Sequence, residues 1–305
     1  LYAWRNNAGA TASVMHKSTS SGWTAVTLGK TMSFDSGVLA IADGVTLTGQ
    51  SSGATCVVAR TVLEDGTYAS SNAAGQLILS TVTGTFTVGE NLRIGATSYA
   101  HVLTVPVQIT LAPSGRYETV IANFGGGTAN YKMYGCDGKN NAFEFDGTTY
   151  VPIRTGMTVD TPNHICFHKQ HLFLSFGASL QFSALGYPYQ WTPLLGAGEI
   201  AMNAEITNLL ILPGNQSSGA LGVYTRQDTS VLYGTSSANF QLSAFNTGTG
   251  AYAYTAQNLD QSYVLDDRGV ISMSTSLNFG NFVPASLTMN IRPFIEAHRT
   301  LAVGS

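Results

Sequence analysis

Short runs of alternating or β-branched apolar residues, separated by polar turns, follow one another along most of the chain. Three of these runs occupy residues 131–136, 142–145 and 150–153. Asp-Gly pairs that end at Gly138 and Gly147 separate them, and such pairs supply the positive φ that tight hairpin turns require. The pattern therefore predicts antiparallel strands joined hairpin by hairpin, which is an all-β fold.

Hairpins of the same kind recur along the second half of the chain. Further examples occupy residues 172–183, 221–233 and 263–273. A spacing of about 40 to 50 residues is typical of propeller blades, which have four strands each. Trp23 and Trp191 both lie where an outer strand of a blade would pack on its neighbour. We therefore expect propeller-like repeated blades, forming a complete or a partial propeller, with an irregular β-sandwich as the alternative.

One stretch differs from the rest in composition. Between residues 38 and 112 the chain is rich in Thr, Val, Gly and Ala, and its aromatic residues of note are Tyr68 and Phe86. An insertion at a loop tip is tolerated because it disturbs little buried backbone. We predict that residues 38–112 form a small inserted β-barrel or β-sandwich. Residues 1–37 and 113–305 would then together form the propeller-like domain.

The composition limits the classes of function. Hydrophobic residues make up 44% of the 305 residues, which is enough to bury one or two cores, whereas charged residues make up only 10% and the net charge is -3. This composition argues against a disordered chain, and a strong binder of nucleic acid or of a membrane surface would need a clear basic excess. Such a weakly charged surface is expected of a protein whose surface is largely covered by its neighbours in an assembly.

The cysteines and the beginning of the chain bear on its origin. Cys56, Cys136 and Cys166 are odd in number and far apart, which predicts free, buried thiols from a reducing compartment. No apolar run reaches the roughly 18 residues of a transmembrane helix, and no secretory signal opens the chain. Because the first residue is Leu1 and not Met, we expect the natural protein to be longer.

Residues 49–53, Gly-Gln-Ser-Ser-Gly, match the pattern of a nucleophile elbow. That elbow needs a strand before its serine and a helix after it. Residues 54–59 are instead a β-like run, so a polar turn is the better interpretation.

Two further groups of polar residues have structural explanations. On a strand, His164 and His168 would share a face while His171 would point away from it, and a blade's polar edge explains them better than a metal site. Asp266 and Asp267 are neighbours in a predicted turn, where carboxylates accept local backbone hydrogen bonds. We therefore predict no catalytic residue, no metal and no cofactor.

Several motifs of the chain resemble those of one protein family. The most telling is residues 168–177, His-Lys-Gln-His-Leu-Phe-Leu-Ser-Phe-Gly, and the others are residues 1–7, 133–138, 142–147 and 181–183, with Pro188 and Trp191. Together they resemble the tail-nozzle and related tail-tip proteins of tailed bacteriophages, the propeller subunits similar to tail tubular protein B. The resemblance covers most of the chain, and its motifs are structural.

The resemblance implies a structural component of the phage tail, located in the virion and assembled in the host cytoplasm. Identical subunits would form a ring, expected to be hexameric, around the DNA exit channel. The ring would contact the portal adaptor and other tail proteins, and phage DNA would pass through it transiently. A weakly charged wall suits such a channel because a basic wall would hold DNA by its phosphates.

Two other functions remain open. A tail protein that binds a receptor or a glycan of the host surface would offer exposed aromatic side chains, for which Tyr187, Tyr189 and Trp191 are the candidates. The inserted module would be the binding element in that case. A glycan-cleaving propeller enzyme would need two carboxylates that converge across a cleft, and the spacing of acidic residues identifies no such pair.

Overall fold

The computed structural model describes residues 1–126, 130–212, 219–259, 261–275 and 282–286, together with residues 288, 293, 294 and 297. The described residues form 26 strands in six antiparallel sheets, with two short 3-10 helices. The chain divides into two compact units. The first contains residues 1–161 and 186–195, and the second contains the described parts of 162–185 and 196–305. The predicted all-β fold class is confirmed.

The first unit begins with a three-stranded meander. Its strands are β1 (Tyr2–Asn6), β2 (Ser13–Thr19) and β3 (Gly22–Ala25), in that order across the sheet. Asn7 closes the turn between β1 and β2, since its Oδ1 accepts a hydrogen bond from Thr11 N at 2.9 Å. Asparagine suits this turn because its short side chain bonds to nearby backbone.

A closed barrel follows the meander. Its strands are β4 (Lys30–Gly37), β5 (Thr46–Gly49), β6 (Thr55–Asp65), β7 (Ala73–Thr83), β8 (Asn91–Ile94), β9 (Thr97–Val102) and β10 (Val107–Gln108), and a 3-10 helix (Tyr68–Ser70) joins β6 to β7. The order β4-β7-β6-β5-β8-β9 closes because β9 also pairs with β4, and β10 pairs with the start of β4. Alternate side chains point inward, among them the fully buried Phe34, Leu47 and Leu77.

The barrel begins earlier in the chain than the predicted start at residue 38. Strand β4 precedes that position, and its Met32 and Phe34 lie in the barrel core. The expected boundary followed the change to a segment rich in Thr, Val, Gly and Ala, and β4 lies before that change. Only its pairing with β7 and β9 assigns β4 to the barrel.

A four-stranded sheet completes the first unit. Its strands are β11 (Glu118–Ala122), β12 (Lys132–Cys136), β13 (Ala142–Phe145) and β14 (Tyr150–Ile153), in sequence order. Gly138 and Gly147 have positive φ, as the predicted turns require. The sheet packs on the first meander, where the rings of Trp4 and Tyr117 stack with centroids 4.4 Å apart. Residues 113–161 thus lie in one unit with the barrel, whereas the sequence placed them with the rest of 113–305.

The second unit consists of three four-stranded sheets, each in sequence order. The strands are β15 (Ile165–His168), β16 (His171–Phe176), β17 (Ser179–Phe182) and β18 (Gly198–Ala201), then β19 (Ile206–Ile211), β20 (Leu221–Thr225), β21 (Asp228–Tyr233) and β22 (Gln241–Thr247), then β23 (Gln257–Asn258), β24 (Ser262–Asp266), β25 (Gly269–Thr275) and β26 (Phe282–Ser286). A second 3-10 helix spans Pro193–Leu195 in the first unit. The first strands β15, β19 and β23 lie side by side, as the innermost strands of propeller blades do.

Within the described residues, no helix is long and apolar enough to cross a membrane.

Candidate ligand-binding cleft around Glu144

Strand β13 is buried along its whole length and still carries a charged residue. Glu144 is only 1% exposed, and its neighbours Phe143 and Phe145 lie in the apolar core of the first unit. Because side chains alternate along a strand, Glu144 points to the other face of the sheet. A buried carboxylate is costly unless charged or hydrogen-bonding partners surround it.

Three donors surround the Glu144 carboxylate. Tyr134 lies directly opposite Glu144 on β12, and its hydroxyl donates to Oε2 at 2.8 Å. Lys132 lies two residues before Tyr134 on β12 and on the same face, and its Nζ donates to Glu144 Oε1 at 2.6 Å. The third donor is Arg60 on barrel strand β6, whose guanidinium reaches Oε1 at 2.7 Å. The carboxylate therefore joins the barrel to the sheet β11–β14.

The charges in this cluster act on one another. Burial alone would lower the pKa of Arg60, but the adjacent carboxylate of Glu144 outweighs it and raises that pKa. Arg60 also lies 3.8 Å from Asp146 and 3.9 Å from Asp43. Burial and the charge of Glu144 together raise the pKa of Tyr134. The arrangement keeps the tyrosine neutral and the arginine charged.

A cleft opens beside this cluster. Its volume is about 530 Å³, and its walls include Phe124, Asn130, Lys132, Glu144, Tyr187 and Tyr189. Binding sites for small molecules have volumes of about 300–1,000 Å³. All of the lining residues that the structure describes belong to the first unit, so these residues lie within one compact body.

The structure brings two of the three predicted aromatic residues to this cleft. Tyr187 is 60% exposed at the cleft. Tyr189 packs against the core of the first unit, and burial, with the charge of Glu144, raises the pKa of its hydroxyl. Trp191 is not among the described lining residues, and its indole N–H donates to the Pro188 carbonyl at 3.0 Å.

Sequence reasoning did not identify Glu144, Lys132 or Arg60. The available signal was a single glutamate inside the apolar run 142–145, across a hairpin from a lysine and a tyrosine. Arg60 is 84 residues from Glu144 in the chain, and no local pattern indicates that contact.

The nucleophile-elbow pattern forms the turn between β5 and β6. Ser51 is followed by strand β6 and not by a helix, and its hydroxyl donates to Glu90 Oε2 at 2.9 Å. The polar-turn interpretation therefore describes the local structure of residues 49–53.

The three histidines are buried and do not form a polar edge. Their exposed fractions are 1% for His164, 4% for His168 and 0% for His171. The His164 ring contacts the Tyr254 ring, with centroids 4.6 Å apart. In the part of the chain that the structure describes, no three His, Cys, Asp or Glu side chains come together as a metal site.

Asp266 and Asp267 diverge at the β24–β25 turn. Asp266 is buried and accepts a hydrogen bond from Arg268 N at 2.6 Å. Asp267 is exposed and pairs with Arg226 at 2.5 Å. The two carboxylates have separate partners, as expected of turn residues.

Comparisons with known proteins show little similarity. No protein-family model matches the chain, and no curated protein matches it. Among solved structures, the chain is similar to a functionally unknown protein from Desulfotomaculum acetoxidans, with a TM-score of 0.33 and 11% identity, over 79% of this chain and 94% of that one. Similarity at this level carries no argument about function.

Proposed function

We propose that this chain is a structural component of a bacteriophage tail, a subunit that assembles with its own copies into a ring in the virion. The motif resemblance suggests the family, and the repeated four-stranded meanders are compatible with it. The observation that carries the proposed self-assembly is the apolar surface of the barrel. Because the chain is weakly charged, electrostatic repulsion between two copies would oppose contact at this surface only weakly.

The barrel exposes several large apolar side chains. Val88 is 59% exposed and Leu103 is 48% exposed. Val88 precedes Gly89 and Leu103 follows Val102, and Gly89 N donates a hydrogen bond to Val102 O at 2.7 Å. Val88 and Leu103 therefore lie at the same end of the barrel. Large exposed apolar surface is rare on monomeric soluble proteins and marks interaction sites. We assign these side chains to the contact between subunits.

Sedimentation equilibrium of the purified chain tests this proposal. We expect one oligomer of defined size, and we expect the double substitution V88E/L103E to dissociate it. Each introduced glutamate would bury a charge in the contact between subunits. Neither Val88 nor Leu103 belongs to the barrel core, so the substitutions should leave the barrel folded.

The substitution T97E is the matched control, because Thr97 is an exposed polar residue of β9. This variant should assemble like the unchanged chain. A chain that stays monomeric at every concentration contradicts the proposed function, and a V88E/L103E variant that still assembles contradicts the assigned contact.

A further inference from the structure

The charged side chains that line the Glu144 cleft have opposite signs and cancel each other's charge. Lys132 and Glu144 are the two charged residues among the described residues of its wall, and they pair at 2.6 Å. An anionic ligand would meet the carboxylate, and a cationic ligand would meet the ammonium group. The cleft is therefore suited to an uncharged ligand.

The polar groups of the cleft include both donors and acceptors. The Lys132 ammonium has three donors, and its side chain is 24% exposed. Asn130 also lines the cleft, and its side-chain amide has both donor hydrogens and an acceptor oxygen; the amide N–H donates to Gly126 O at 2.5 Å. A hydroxyl group is both a donor and an acceptor, so a ligand with several hydroxyls matches this mixture.

An aromatic ring is exposed beside these polar groups. Tyr187 is 60% exposed and lines the cleft together with Phe124. Aromatic rings supply a large apolar contact area at little cost in side-chain entropy. The C–H face of a sugar ring is the apolar surface that packs on such a side chain while its hydroxyls bind the polar groups.

From this combination we propose that the Glu144 cleft binds an uncharged saccharide. Its volume of about 530 Å³ has room for a short segment of glycan. The site would bind without cleaving. Glu144 is the one carboxylic acid among the described lining residues and already accepts three hydrogen bonds, whereas most glycoside hydrolases use a pair of carboxyl groups. This inference goes beyond the structural role and does not depend on it.

Saturation-transfer NMR and calorimetry with the whole chain test the saccharide site. The neutral probes are maltose, cellobiose, lactose and diacetylchitobiose, and the acidic probes are sialyllactose and digalacturonate. We expect at least one neutral probe to bind and to outcompete both acidic probes. Comparing dextran with its free disaccharide isomaltose distinguishes two sources of the saccharide. Tighter binding of the polymer indicates a surface glycan, and tighter binding of the disaccharide indicates a free sugar.

Variants of Tyr187 assign the binding to the cleft. Because the side chain is exposed, Y187A should fold normally and bind the neutral probe about tenfold more weakly, the loss expected for one aromatic contact. Y187F keeps the ring and should retain most of the affinity. Y233A removes an exposed tyrosine of the second unit that does not line the cleft, and should change nothing.

Three results would overturn the saccharide site: no binding of any neutral probe, tighter binding of an acidic probe, or equal affinity of Y187A and the unchanged chain. Sedimentation of Y187A separates this test from the test of assembly, because we expect that variant to form the same oligomer.

Discussion

His168 is the last residue of β15, and it lies directly opposite His171, the first residue of β16. The Nδ1–H of His171 donates to the Ser183 carbonyl at 2.6 Å, and Nε2 of each ring makes no hydrogen bond within the described part of the chain. Burial lowers the pKa of His168 to about 4, and the positive charge of the neighbouring Lys169 contributes. Burial also lowers the pKa of His171. The two rings therefore stay neutral at physiological pH.

The low pKa of His168 makes stability depend on pH. An unfolded histidine binds its proton near pH 6.5, whereas the folded one binds it only near pH 4. The unfolded state binds more protons between these values, so stability falls as pH falls from 6.5 to 4, by about 3 kcal/mol. NMR titration of the His168 ring and urea unfolding at several pH values measure both effects.

The variant H168Q is the control for this prediction. Removing the imidazole should remove most of the loss of stability between pH 6.5 and 4. A His168 ring that titrates near its ordinary value would contradict the account of a buried, neutral pair.

At the level of elements, one carboxylate holds together two turns of the barrel. Glu90 accepts hydrogen bonds from the backbone N–H and the hydroxyl of both Ser51 and Ser52, and from Thr87 N, all between 2.7 and 2.9 Å. Burial opposes its ionisation, but the hydrogen bonds outweigh burial and lower the pKa of Glu90 to about 2. The carboxylate thus fixes the β5–β6 turn to the segment before β8.

We expect E90Q to loosen this connection. An amide lacks the charge and one of the two acceptor oxygens, so the barrel should lose about 2 kcal/mol at neutral pH. The folded pKa lies below the ordinary value of 4.5, so the stabilisation is present above pH 4.5 and is lost as pH falls towards 2. Hydrogen exchange at the amides of Ser51 and Ser52 measures the effect locally.

The variant D65N is the matched control, because Asp65 is an exposed barrel acid that accepts one hydrogen bond, from Gly66 N at 2.8 Å. It should leave the exchange of the Ser51 and Ser52 amides unchanged. Unaltered exchange in E90Q would show that Glu90 does not hold the turn.

The sequence predicted those hairpins whose turns carry a local signal. The turns at Gly138, Gly147 and Gly177 have the positive φ that glycine adopts easily. Strands β18 and β22 were not predicted, since β18 follows a 3-10 helix and β22 shows no clear alternation of buried and exposed residues. Strand β4 was assigned to the wrong side of the boundary because pairing, and not composition, places it in the barrel.

The candidate cleft was predictable only in part. Tyr187 and Tyr189 stand out in the sequence as closely spaced aromatics. The burial of Glu144 depends on Arg60, and that contact forms only when the barrel packs against the sheet β11–β14. Contacts between residues so far apart in the chain follow from tertiary packing, which periodicity does not report.

At the scale of the whole molecule, low charge and repeated small sheets are the features that the proposed function must explain. Each unit has its own apolar core and its own meanders, and the first unit adds the barrel with exposed apolar side chains. A subunit of a ring uses such surfaces at contacts with its neighbours. The saccharide cleft would add a binding site to the same unit without altering those contacts.

Electron microscopy of the purified, assembled chain shows directly whether its copies form a ring. We expect closed rings of identical subunits around an open channel, with the barrel surface at Val88 and Leu103 buried between neighbours. Single chains, or fibres without rotational symmetry, at concentrations that support assembly would contradict it.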